Sequence, residues 1–452
     1  VVKLGYSLEK AKNEAVEILS ELIKINTTNP PGNELPAAKY IAEKLEEANL
    51  ETEIIKSEEN RGNVICRIKG EKKEPSILLL SHLDVVPANA SEWSIDPFSG
   101  IIKDGFIWGR GAIDCKSLAA IECVIMKLIA LNNKKPKGDI IFAATADEEK
   151  GGGAGVEYII KNYPEKIKTT YVINEGGGFS IPIGNKHIFL IQTAEKGIVW
   201  IKIKAGGVPA HGSMPGIGDN AILRMMNTIN RIMSRKPPIM IIPVVKKFIK
   251  KISSEKGSEY KILSNLLLNK YLAHKILDKL AKKNKGEAEM IRSMISATIT
   301  PTMINGGIKE NIVPSLCETI FDCRILPGQT KEDLINNIKN IVKDIDKLEF
   351  EYLKYDEPTE SPYETDFFKI IEDTLKEYDK NFEAVPYMVP GGTDSRFLRR
   401  IGSICYGFHP VKTDMPYDQL MRLPHGIDER ISIKNIHFGI EILYKIIEKM
   451  MF

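Results

Sequence analysis

Three short apolar runs, PSILLLSHLDVV, DIIFAATADEE and KTTYVINEGG, each begin as strand-forming sequence and end in polar residues or glycine. Longer stretches with helical spacing separate them. Short apolar runs closed by turn residues read as strands buried on both faces, and their alternation with helices predicts a parallel sheet wrapped by helices. The clearest helix lies in GRGAIDCKSLAAIECVIMKLIAL, where apolar residues recur at helical spacing after Asp114. In open α/β sheets ligands bind outside the carboxyl ends of the strands, which is where the polar endings of these runs fall.

The alternation holds for the first 195 residues and then changes. From Gly197 the pattern reads as a strand (IVWIKIKAGG), a helix (AILRMMNTINRI), a long helical stretch, strands across TITPTMINGG and ETIFDCRILPG, a helix from Lys331 and a strand FEYLKY. With the stretch near residues 237–298 set aside, this is βαββαβ, a ferredoxin-like α+β sandwich. After about Pro358 the helix–strand alternation resumes, with SICYGF as a strand and a closing helix capped by Ser432. A chain of 452 residues exceeds one ordinary core. The expected organisation is therefore an α/β catalytic domain from residues 1–195 and 359–452, with a smaller domain at 196–358 inserted in it and a helical insertion near 237–298.

Charge excludes little but demands nothing: 63 basic residues are nearly balanced by 60 acidic ones, for a formal +3, so neither nucleic acid nor an anionic membrane is expected as a partner. The six cysteines are scattered without a Cys-x-x-Cys pair, and are expected to be reduced core residues. The N-terminal segment carries charges inside its apolar period, which predicts an amphipathic helix rather than a signal peptide, and no apolar run reaches the length of a membrane span. A cytoplasmic location is expected.

The chemistry sits at the strand ends. His82 and Asp84 are two apart on one strand and share a face, so one can bind a metal while the other orients it. Asp114 is placed at the start of a helix, where a cap is the ordinary reading. Glu148 and Glu149 are adjacent carboxylates that repel unless solvated or neutralised by cations. Glu175 ends a further strand before three glycines, and His425 lies in LPHGIDER near the far terminus. Each element alone also has a structural reading. Together they supply imidazole and carboxylate without thiolate, a donor set suited to hydrolytic zinc, cobalt or manganese.

HLDVVP, WGRGAIDCK, DEEKGG, NEGG and HGIDER, taken in order, resemble the motifs of the acetylornithine deacetylase, succinyl-diaminopimelate desuccinylase, aminoacylase and glutamate carboxypeptidase group of co-catalytic zinc hydrolases. The resemblance spans nearly the whole chain. It implies two zinc ions per subunit, with cobalt or manganese as possible substitutes. Asp114 would bridge them, His82 and Glu175 would complete one site, and Glu149 and His425 the other. It further implies Glu148 as general base, Asp84 as orienter of His82, and a cis peptide between Asp114 and Cys115.

On the substrate side, VPAHGSMP resembles the family's Gly-x-x-x-His-(Gly/Ala)-Ser loop, which would make His211 a polariser of the scissile carbonyl acting across a homodimer formed by the inserted domains. Asn311 in ENIVP and Arg324 in FDCRILPGQT also fall on family motifs. An Arg fork matches a carboxylate, although a structural ion pair is the alternative for Arg324. PGGTDSRF offers backbone N–H groups at Gly391, Gly392 and Thr393 to the same carboxylate. These loops lean toward aminoacylase and carboxypeptidase-S-like members. The expected reaction is hydrolysis of the amide bond of N-acyl-amino acids or short peptides with a free carboxylate. Acetylornithine or succinyl-diaminopimelate remains the alternative substrate, and a metal phosphoesterase or a silent binding protein the remote one.

Overall fold

The computed structural model describes residues 6–452, which divide into two compact units. Of the described residues, the first comprises 6–193, 361–387 and 393–452, and the second 194–360 and 388–392.

In the first unit, strands Ile140–Thr145, Ile77–His82, Tyr171–Asn174 and Ile404–Gly407 lie side by side in that order, all parallel. Gly62–Ile68 and Lys186–Glu195 flank this core antiparallel. The parallel strands are almost wholly buried, as expected when helices cover both faces. Helix Lys116–Leu131 is buried along nearly its full length between Leu8–Lys24 and the closing helix Ile433–Met451. The Ser432 side chain caps that last helix by accepting the Asn435 N–H.

Because the central strands are parallel and in register, with His82 opposite Thr145, their carboxyl ends open onto one edge of the sheet. His82, Glu148 and Glu175 emerge there. The helix begins at Lys116 with Cys115 at its N-cap, so Asp114 stands in the preceding turn and its carboxylate caps nothing. The Asp114–Cys115 peptide is cis. All six cysteines are buried and free.

In the second unit, strands Thr298–Gly306, Leu316–Ile325, Gly197–Gly206 and Leu348–Asp356 form an antiparallel sheet in that order. Helices Ala221–Ser234 and Lys331–Ile341 complete the βαββαβ pattern, the second opened by a Thr330–Asp333 capping box. Every second residue of Gly197–Gly206 and Leu316–Ile325 is buried, which places Val199, Ile201, Ile203, Phe321 and Cys323 in one core with Met225 and Ile338. The insertion consists of four helices, Pro243–Lys256, Ser258–Leu267, Ala273–Ala281 and Lys285–Ile295.

Candidate metal centre

His82 is the last residue of its strand and its imidazole is buried. Its Nδ1 lies 3.0 Å from the backbone carbonyl oxygen of Asp84, closer than the 3.4 Å to the Asp84 carboxylate. A carbonyl can only accept, so Nδ1 carries the proton and a neutral ring keeps its lone pair on Nε2. The Asp84 carboxylate is used elsewhere: it accepts the backbone N–H groups of Glu148 and Glu149, both at 3.1 Å, and the Asn29 amide at 2.8 Å. Asp84 thus orients His82 through its main chain and the Glu148–Glu149 turn through its side chain.

Nε2 of His82 lies 3.1 Å from Oδ1 of Asp114, and Nε2 of His425 lies 3.1 Å from Oδ2 of the same carboxylate. His425 also stands 3.2 Å from Glu149 Oε1. Ligand atoms of Asp114, Glu149 and His425 lie within 4.8 Å of one another, as do those of His82, Glu148 and Glu175. One carboxylate therefore turns its two oxygens toward two different imidazoles. The donors divide into two groups around it.

Hydrogen bonds to Asp114 and Glu149 push His425 up to about 10, against partial burial. Burial would lower His82, yet Cys115, Asp114 and Asp84 hold it well above its ordinary value. Burial opposes ionisation of Asp114, but His425 and His82 hold it far below the usual carboxylate range. Burial, then the charges of Asp114 and Glu149, push Glu175 up to about 8, and burial with the Glu175 charge raises Glu148 well above its ordinary value. Carboxylates crowded this closely favour a bound cation among them. The donor set fits divalent metal: imidazole lone pairs and carboxylates face common centres, and the Cys115 thiol, pushed up to about 12 by burial, accepts the backbone N–H of His82 instead.

Several supporting residues carry no ligand role in the sequence reading. Arg61 pairs with Asp147 and Glu34, both at 2.7 Å, and Asp147 also accepts from Asn29 at 3.0 Å. Asp147 adopts φ 70°, a left-handed turn that aims Glu148 and Glu149. Glu429 accepts the backbone N–H groups of Ile113 and Asp114. Asp147 and Glu429 sit inside the TADEE and HGIDER segments, whereas Asn29, Glu34 and Arg61 are distant from them in sequence, and only the fold shows whom they touch. Asp394 is buried with neither carboxylate oxygen hydrogen-bonded, and burial raises it to about 7. His409 is buried 3.4 Å from the Ser117 hydroxyl, and burial holds it down at about 4.

The second unit brings His211 and Asn311 together. The short strands Ala210–His211 and Ile312–Val313 pair, Gly212 donates to the Asn311 carbonyl at 2.7 Å, and both residues line an open hollow of about 410 Å³ with Lys309. His211 is exposed, and its Nδ1 lies 2.7 Å from the Ser213 hydroxyl. Arg324 already has a carboxylate: its Nε and Nη2 reach the two Asp322 oxygens at 2.7 and 2.9 Å. Gly391 and Gly392 belong to this unit, whereas Thr393 belongs to the first and is buried there.

A parallel sheet with paired imidazole and carboxylate donors at its carboxyl edge is the framework of a metal-dependent hydrolase. Residues 78–449 match the family model of Peptidase family M20/M25/M40, and the chain belongs to that family. The chain is 29% identical over 396 residues to the N-fatty-acyl-amino acid synthase/hydrolase PM20D1 of Mus musculus, covering 83% of this chain and 75% of that protein. It is 27% identical over 450 residues to Aminoacylase-1 of Dictyostelium discoideum, covering 97% and 98%. In fold it is similar to the M20 family metallo-carboxypeptidase Sso-CP2 from Sulfolobus solfataricus, with a TM-score of 0.69, 18% identity and coverage of 96% and 98%. It is a metal-dependent hydrolase of amide bonds, of the metallopeptidase and aminoacylase type. Among the described residues no helix is long and apolar enough to cross a membrane.

Proposed function

We propose that this chain hydrolyses the amide bond of N-acyl-amino acids using two zinc ions bridged by Asp114. The observation that carries the reading is the division of the two Asp114 oxygens between His82 and His425. His82 and Glu175 would hold one ion, Glu149 and His425 the other, with cobalt or manganese as substitutes. Such a pair, when bound, acidifies a water and stabilises the charge that develops on the carbonyl oxygen. Glu148, whose carboxylate lies within 4.8 Å of the His82 and Glu175 donors, takes the proton of the attacking water and returns it to the leaving amine. Asp84 fixes the direction of His82 and of the turn that carries Glu148. The names of PM20D1 and Aminoacylase-1 support acyl-amino acids as the substrate class.

His211 and Asn311 act on the substrate carbonyl, and Gly391, Gly392 and Thr393 receive its carboxylate. Arg324 joins them only if substrate displaces Asp322. The metal ligands and His211 lie in different units, and we infer a homodimer through the second unit in which His211 serves the partner's site. Two observations support that pairing. Strand Thr298–Gly306 is an outer strand of its sheet, with Met303 and Ile304 exposed, and helix Ala221–Ser234 exposes Leu223, Met226 and Met233. Turnover of zinc- and cobalt-loaded protein on N-acyl-amino acids, dipeptides, acetylornithine, succinyl-diaminopimelate and a phosphate diester tests the reading. Preference for N-acyl-amino acids is expected, and hydrolysis of the diester alone would overturn it.

A further inference from the structure

The whole-chain charge of +3 conceals one strongly basic segment. Residues 243–285 hold twelve lysines, no arginine and only three carboxylates. Helices Ser258–Leu267 and Ala273–Ala281 lie within it, and each buries one face: Ser264 and Leu267 on the first, Ala273 and Leu277 on the second. The solvent face of the first is unusual for a helix of a folded domain, which is ordinarily polar there. Ile262 and Leu266, one turn apart, are 64% and 40% exposed, Tyr260 is 47% exposed, and Tyr271 in the following turn is 78% exposed. On Ala273–Ala281, Lys275 and Lys279 are exposed one turn apart, opposite Leu277, and Lys282 continues the row. Among the described residues Lys261, Lys270, Lys275, Lys279, Lys282 and Lys283 form no ion pair, although nearby Lys236 and Lys256 do.

Single exposed apolar residues are common on any protein. Four large ones within residues 260–271, set among unpaired lysines, are a different matter. Lys256 and Lys270 lie over the Tyr260 and Tyr271 rings at 5.4 and 5.1 Å, so the aromatic edges and the ammonium groups face solvent together.

We propose that the solvent faces of Ser258–Leu267 and Ala273–Ala281, with the turn between them, dock on the surface of an anionic lipid bilayer. Charge complementarity selects this occupant. A second copy related by a two-fold axis would set lysines against lysines. A nucleic acid would neutralise the lysines but leave Ile262 and Leu266 against water or phosphate, and the segment lacks the arginines that phosphate recognition favours. A bilayer interface satisfies both halves: aliphatic side chains enter the acyl boundary, tyrosines sit at headgroup depth, and lysine stems lie along the surface with their charges among anionic headgroups.

The test is sedimentation of the whole 452-residue chain, zinc-loaded, with phosphatidylcholine vesicles, with and without phosphatidylglycerol. Binding should rise about tenfold or more when phosphatidylglycerol is present and fall back at high salt. The pair Ile262→Glu/Leu266→Glu and the triple Lys261→Glu/Lys275→Glu/Lys279→Glu should each lose most of that binding, with turnover of a water-soluble substrate unchanged. If glutamates disturb the helix, as circular dichroism would reveal, the pair Ile262→Ser/Leu266→Ser should lose binding in the same direction. Equal partition into both vesicle types, no partition into either, or full binding by the apolar variants would each overturn the proposal. So would retention by a single-stranded oligonucleotide in place of vesicles.

Discussion

Arg110 and Glu429, separated by 319 positions in the chain, form a buried ion pair at 2.7 Å. The same Glu429 carboxylate holds the backbone N–H groups of Ile113 and Asp114 at 2.7 and 3.0 Å. The terminal HGIDER segment thus fixes the main chain of the residue that would bridge the metals. Its His425, four residues earlier, faces that residue's Oδ2.

Breaking this pair has two consequences. Removing one partner of a buried pair typically costs about 3–5 kcal/mol, because the other charge is left uncompensated. Glu429→Ala should therefore lower the unfolding midpoint strongly and also reduce metal retention, since Asp114 loses its backbone anchor. Thermal melts and elemental analysis on dialysed protein check both effects. A variant with wild-type melting behaviour and full metal would contradict the positioning role.

The ligand and base assignments separate in a second experiment. His82→Ala and His425→Ala should lose metal and activity together, whereas Glu148→Gln should retain metal and lose turnover by about 10²–10⁴-fold, the usual contribution of a positioned general base. Near-normal turnover in the Glu148 variant, or full metal in both histidine variants, would sink the scheme.

For the dimer, mixing is decisive. Glu148→Gln and His211→Ala chains are each expected to be nearly inactive, with metal retained. Co-refolded in equal amounts, half of the dimers are mixed, and each mixed dimer holds one site with both residues intact. Recovery of about a quarter of wild-type activity is expected under two-fold exchange. No recovery would mean that His211 serves its own chain.

Lys196 gives a prediction about pH and stability away from the metal centre. It is buried, and its Nζ donates to the carbonyls of Ser293 and Ser296 at the end of helix Lys285–Ile295, at 2.9 and 3.0 Å. Burial, reinforced by Arg324, lowers it from 10.5 to about 7. Between those values the unfolded chain binds the proton and the folded chain does not, so stability rises with pH across that window and is lost as pH falls through 7. Urea midpoints of wild type and Lys196→Met, compared at about pH 6 and about pH 9.5, should therefore diverge, with the wild type gaining relative to the variant at the higher pH. Parallel midpoints at the two pH values would contradict the assignment.

Much of this protein was legible before any contact was known. Strand-ending polar residues put His82, Glu148 and Glu175 at the carboxyl ends of the parallel strands, where the structure also has them, because a parallel strand buried on both faces must be a continuous apolar run and polar groups can only stand where that run stops. The βαββαβ order of the second unit followed from periodicity alone, since alternation and helical spacing are properties of the local chain. What periodicity could not supply was partnership. That Asp114 divides its oxygens between His82 and His425, that Asp84 reaches His82 through a carbonyl, and that Arg324 is held by Asp322 depend on side-chain direction at ångström scale. The near-zero total charge likewise hid the lysine-rich face of residues 243–285, because a sum over the chain discards position. Composition and spacing determined which groups are available and on which elements. Only the tertiary structure, by closing contacts between residues hundreds of positions apart, decided which of them meet.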